Sequence, residues 1–94
     1  MAIERKPTVH IIIKGKVQGV SFRYFTLIHA QELNVAGWVR NKPNGNVEVV
    51  AQGDKTNLEL LIIKLKQGPS FSRVDDVSLN WEHENKDYKD FAIV

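Results

Sequence analysis

The order in which two hydrophobic periods alternate along this chain limits its fold more than any other feature. Val9, Ile11 and Ile13 alternate with His10, Ile12 and Lys14, which is the period-two pattern of a strand with apolar residues on both faces. Gly15 to Ser21 breaks the pattern as a loop. A helix is expected from about Phe22 to Leu33, where Phe22, Phe25, Thr26, His29, Ala30 and Leu33 share one face, and Asn34, which tolerates left-handed backbone geometry, is expected to end it. Val35 to Asn41 is β-rich, Pro43-Asn44-Gly45 supplies turn chemistry, and Val47, Val49 and Ala51 alternate again, so this pair is a predicted hairpin. Asp54 or Thr56 can cap a second helix, with Glu59 placed to complete a capping box with Thr56. Leu58, Leu61, Ile62 and Leu65 give that helix its core stripe, and Gly68-Pro69 stops it. Val77, Leu79 and Trp81 alternate in a further strand, and Phe91 to Val94 forms a short closing one.

Strand, helix, strand, strand, helix, strand and a short terminal strand make two interleaved, split strand–helix–strand units. That order predicts an α+β chain with a ferredoxin-like α/β sandwich: an antiparallel sheet with two helices on one face. Right-handed crossovers put the third strand between the first and second, antiparallel to both. The first two strands then end on the same edge of the sheet, roughly 10 Å apart across the strand between them. Long side chains can close such a gap, so the loop after the first strand and the tip of the second are the place to look for chemistry. The 94 residues are expected to form a single domain, 1–94, that buries roughly 65% of its unfolded surface.

Composition narrows the chemistry. There is no cysteine, which excludes disulfide staples, thiolate nucleophiles and zinc thiolates. No apolar run approaches the ~20 residues of a membrane span, and Met1 to Pro7 lacks the apolar centre of a signal peptide, so the expected location is cytoplasmic. Charge is uneven: residues 1–42 hold seven Lys/Arg against two Asp/Glu, and residues 43–94 hold six against nine. The basic half suits an anion, without deciding between nucleic acid and a small phosphate.

The loop itself runs Gly15-Lys16-Val17-Gln18-Gly19-Val20-Ser21-Phe22-Arg23. A glycine-containing turn that feeds a helix N-terminus directs several unsatisfied N–H groups at one spot, which suits a phosphate. Arg23, in the first helical turn, can pair with two phosphate oxygens. Three other loops fail on the residues. A Walker A loop needs four residues between its glycines and then Gly-Lys-Ser/Thr, whereas Gly15 and Gly19 are separated by three. A nucleophile elbow needs Gly-x-Ser-x-Gly, and Arg23 stands where its last glycine would be. A cysteine phosphatase loop has Cys, five residues, then Arg. Val17 and Arg23 keep that spacing, but valine cannot be a nucleophile.

Gly15-x-Val17-Gln18-Gly19-Val20-x-Phe22-Arg23, followed by Gly37-Trp38-Val39-Arg40-Asn41, resembles the paired signature of the acylphosphatases. The likeness continues through Gly45, Gly53 and Tyr88-Lys89-Asp90-Phe91, and so covers nearly the whole chain. It departs at Ser21, a variable position often held by glycine or a bulky residue, and at Asn34, where glycine is common. The resemblance implies a ferredoxin-like fold and hydrolysis of the carboxyl–phosphate anhydride of small acyl phosphates by direct attack of water. It implies Arg23 and Asn41 as the catalytic side chains, and the backbone N–H groups of Val17, Gln18, Gly19, Val20, Ser21 and Phe22 as the phosphate cradle. It further implies no metal or cofactor, inorganic phosphate as product and inhibitor, no nucleic-acid or membrane partner, and a monomer.

Other readings stay open on the residues alone. An RNA-recognition module has the same element order but stacks bases on aromatics of its first and third strands, and Val9–Lys14 and Asn46–Ala51 carry none. A non-catalytic phosphate- or metabolite-binding regulatory module predicts binding without turnover. A hydrolase acting on carbamoyl phosphate, like the corresponding domain of hydrogenase-maturation carbamoyltransferases, is a third. His10, His29 and His83 show no ligand spacing and read as surface histidines, while Trp38 and Trp81 read as packing residues. Tyr24, Leu27, Ile28, Leu60 and Ile63 fall outside the two core stripes, as scattered exposed apolar residues commonly do.

Overall fold

The computed structural model describes residues 6–84 and 86–94, with the backbone alone at 83 and 84. The reading of Met1 to Pro7 as lacking a leader therefore lies largely outside the described residues, and so does the side chain of His83.

The elements are β1 (Lys6–Lys16), α1 (Phe22–Glu32), β2 (Ala36–Asn41), β3 (Val47–Gln52), α2 (Lys55–Gln67), β4 (Arg73–Glu84) and β5 (Phe91–Ile93). They build one five-stranded sheet in the order β4-β1-β3-β2-β5, the ferredoxin-like arrangement with both helices against one face. β3 pairs antiparallel with both β1 and β2, as the crossover rule requires. β5 is the exception to the antiparallel pattern: it runs parallel to β2, Ile93 opposite Val39, so the sheet is mixed. The reason is the route of the chain. β4 lies on the far edge, antiparallel to β1, so it ends at the sheet edge where β2 begins, and β5 starts from that edge and runs the same way as β2. Gln52 guides the crossing: its Nε2 donates to the Lys86 carbonyl at 2.7 Å and its Oε1 accepts from the Tyr88 N–H at 3.0 Å.

The core is the helix-side face of the sheet closed by one stripe of each helix. Val9, Ile11, Ile13, Val39, Val47, Val49 and Ala51 meet Phe22 and Ala30 of α1 and Leu58, Leu61, Ile62 and Leu65 of α2. Each of the Val, Ile, Leu and Phe side chains contributes roughly 1.5–3 kcal/mol relative to exposure. α1 ends at Glu32, one residue before the expected Leu33, and Asn34 takes the left-handed conformation (φ 55°) predicted for it. Of the expected α1 stripe, Phe22, Thr26 and Ala30 are fully buried, while Phe25, His29 and Leu33 sit at its margin. α2 begins after Asp54, with Thr56 already inside the helix, and no side chain caps it, so the Thr56–Glu59 capping box does not form.

The sheet face away from the helices carries its own polar cluster. The nearly buried Glu48 receives Arg40 Nε at 2.6 Å and lies 2.6 Å from His10 Nε2. Burial pushes its carboxyl up, but His10 and Arg40 together outweigh that and hold it below its ordinary value. His10 is thus a hydrogen-bonding partner of Glu48. Trp38 packs under the Arg40 guanidinium, 5.1 Å from ring centre to cation.

Candidate active site

β1 loses its β3 partner after Ile13, bends at Gly15 and stays paired with β4 as far as Lys16. The register with β4 shifts between Lys14 and Gly15, and Gly15 adopts φ 134°, where a Cβ would run into the Arg73 carbonyl oxygen. Only glycine fits, and the bend aims the chain back over the core as a loop. Gly19 then takes φ 73° in open space, and Ser21 takes φ 63° immediately before α1. For serine this costs roughly 1–2 kcal/mol, a strain consistent with a functional turn. The Ser21 carbonyl accepts the first helical bond, from Phe25 N–H at 3.0 Å, while its side chain caps nothing and no acid stands in the first turn. The N–H groups of Phe22, Arg23 and Tyr24 therefore open the helix without an intrahelical acceptor, with the positive end of its dipole behind them.

These groups border a cleft of about 420 Å³ lined by Val17, Gly19, Ser21, Phe22, Arg23, Tyr24, Asn41 and Ile93. Val17 and Phe22 are buried and anchor the two ends of the loop in the core. Arg23 is exposed, and no ion pair among the described residues includes it. Asn41 is the last residue of β2, and its Oδ1 is buried without a hydrogen-bond partner among the described residues. An orphaned buried acceptor costs roughly 1–3 kcal/mol, so a lining that keeps one invites a donor from outside the protein.

Of the residues singled out in the sequence, Val17, Gly19, Ser21, Phe22, Arg23 and Asn41 converge on this cleft, and Gln18 and Val20 do not line it. Val20 packs against the core. Gln18 turns away and donates from Nε2 to the carbonyls of Lys42 (2.7 Å) and Asn46 (2.9 Å), tying the loop to the β2–β3 hairpin just beyond Asn41. It fixes the distance between the two halves of the site. Gln18→Ala should cost about 1–3 kcal/mol of stability by denaturant titration, and Gln18→Glu, which faces two carbonyls with a carboxylate, should cost more. Equal stability of all three proteins would remove this tie.

Two lining residues were not legible in the sequence. Tyr24 has a signal only in hindsight, as the neighbour of Arg23 at the helix start. Ile93 has none, because its place follows from the parallel β2–β5 pairing. Among the described residues there is no cluster of three side chains that could hold a metal, and no helix is long and apolar enough to cross a membrane.

Comparisons with known proteins bear on the family and the fold. The Acylphosphatase family model matches residues 9–93. An acylphosphatase of Thermus thermophilus is 46% identical over 83% of this chain and 89% of its own length. The crystal structure of acylphosphatase from Bacillus subtilis superposes with a TM-score of 0.92 at 38% identity, covering 94% of this chain and 98% of that one. A full-length HypF, solved in a phosphate- and nucleotide-bound form, contains a similar region: TM-score 0.85 at 32% identity, covering 96% of this chain but 12% of HypF.

Proposed function

The chain belongs to the acylphosphatase family and hydrolyses acyl phosphates, and from that premise we propose that the cleft between the β1–α1 loop and the tip of β2 performs the reaction. The loop N–H groups from Val17 to Phe22 hold the phosphate, helped by the α1 N-terminus. The Arg23 guanidinium pairs with its equatorial oxygens. Phosphoryl transfer passes through a loose transition state, so positioning and charge stabilisation supply most of the catalysis.

The orphaned Asn41 Oδ1 carries this reading. It accepts a hydrogen bond from a water, which turns the oxygen lone pair toward phosphorus. The water oxygen bonds to phosphorus as the bond to the acyl oxygen breaks, and the electron pair leaves with the carboxylate. An amide is a poor base, so the water's proton passes to a phosphate oxygen of the substrate. A carboxylate leaving group needs little protonation, which explains a site without a catalytic His or Glu.

The test is hydrolysis of acetyl and benzoyl phosphate in EDTA, followed spectrophotometrically, with inorganic phosphate added. Turnover should persist in chelator, and phosphate should inhibit competitively. Phosphate binding without turnover would favour a regulatory module, and a requirement for added magnesium or zinc would contradict the mechanism.

A further inference from the structure

Beside the phosphate cleft, the same end of α1 carries a second concavity of about 310 Å³, lined by Ser21, Tyr24, Phe25, Ile28, His29 and Pro69. Its walls are apolar except for Ser21 and for His29, whose ring stands edge-on to Phe25 with centroids 4.5 Å apart. Ser21 and Tyr24 line both concavities, so groove and cleft adjoin at these two residues. Tyr24 is 61% exposed, an aromatic side chain left at the junction instead of in the core.

We propose that this groove receives the acyl substituent of the substrate and makes the enzyme favour aromatic and branched acyl phosphates over acetyl phosphate. The proposal rests on the reading of the cleft as the phosphate site. Direction supports it. In-line displacement puts the departing oxygen opposite the attacking water, and the water is held from the β2 side by Asn41. The leaving group must exit away from β2. The groove lies that way, between α1 and Pro69 at the end of α2, the helix that packs on β4 at the opposite edge of the sheet. Size and chemistry agree. The groove sits at the lower end of ligand pockets, roughly 300–1,000 Å³, enough for a phenyl or branched alkyl group. An acetyl methyl is too short to fill it. Spacing agrees as well, since Ser21, Tyr24, Phe25 and Ile28 form one ridge of α1, distinct from the Phe22–Thr26–Ala30 ridge that faces the sheet.

The experiment compares kcat/KM for acetyl and benzoyl phosphate in the wild type, Ile28→Ser and Ile28→Trp. Ile28 lines the groove but not the cleft. Both variants should lose about tenfold on benzoyl phosphate, one by removing a wall and the other by filling the space, with acetyl phosphate kept within about twofold. Each substrate is compared with itself, so the higher intrinsic reactivity of benzoyl phosphate cancels. Equal losses on both substrates, or none on benzoyl phosphate, would overturn the groove. A measurement on the wild type alone guards against misfolded variants: phenylphosphonate should inhibit acetyl phosphate hydrolysis about tenfold more tightly than methylphosphonate, and equal inhibition would also overturn it. A wild type that turned over neither substrate would remove the underlying assignment of the cleft, an outcome separate from those above.

Discussion

Arg23→Ala is expected to lower kcat/KM for acetyl phosphate by roughly 10³-fold, about 4 kcal/mol of transition-state stabilisation, and to weaken competitive inhibition by inorganic phosphate. Both effects have one origin. The guanidinium is the charged side chain that lines the cleft, and among the described residues it has no carboxylate partner to occupy it. Ground state and transition state both present phosphate oxygens, so binding and turnover fall together, with the larger loss in turnover because the planar guanidinium matches the planar equatorial oxygens of the transition state. Arg23→Lys should recover only part of the rate, because an ammonium restores charge but not the planar fork that pairs two oxygens. Stability should not change, since the side chain is exposed and buries no ion pair. Steady-state kinetics with phosphate inhibition, alongside a thermal melt, separate these quantities. Near wild-type turnover in Arg23→Ala would end the assignment.

Asn41→Ala should produce a different pattern. kcat is expected to fall by about 10²–10³, the usual loss for one preorganised polar group, while the phosphate inhibition constant stays within about threefold. The amide is assigned to the water, and inorganic phosphate does not need it. The same substitution should leave the melting temperature unchanged or raise it, because it deletes the buried, unpartnered Oδ1, whose burial costs roughly 1–3 kcal/mol. Loss of activity with gain of stability at one residue is the signature of a group kept for function. If Asn41→Ala lowered stability with turnover intact, the amide would be a structural group, and the proposed route of attack would have no residue to orient the water.

That Arg23 and Asn41 would line one cleft was legible because the sheet order follows from general chirality. Two split strand–helix–strand units admit one compact arrangement, and it brings the ends of β1 and β2 to the same edge. Local chemistry was legible where one residue decides it, as at Asn34, whose left-handed turn ends α1. It failed where several local solutions compete. Thr56 and Asp54 both offered a helix start; the chain enters α2 after Asp54, and the capping box was lost with the alternative.

Sequence alone determined the element order, because residue type and period decide it, and it offered the strand-to-helix turn as the proposed anion site, while the assignment of Arg23 and Asn41 to that site came from the family resemblance. Tertiary structure decided the rest. It turned the Gln18 side chain away from the cleft and onto the β2–β3 hairpin, brought Ile93 into the cleft through a parallel pairing of residues far apart in sequence, and opened a groove between Ile28 and Pro69. These features depend on which distant backbone groups remain unpaired and which surfaces remain uncovered once the sheet has closed. That balance belongs to the whole packed chain, and no local pattern encodes it.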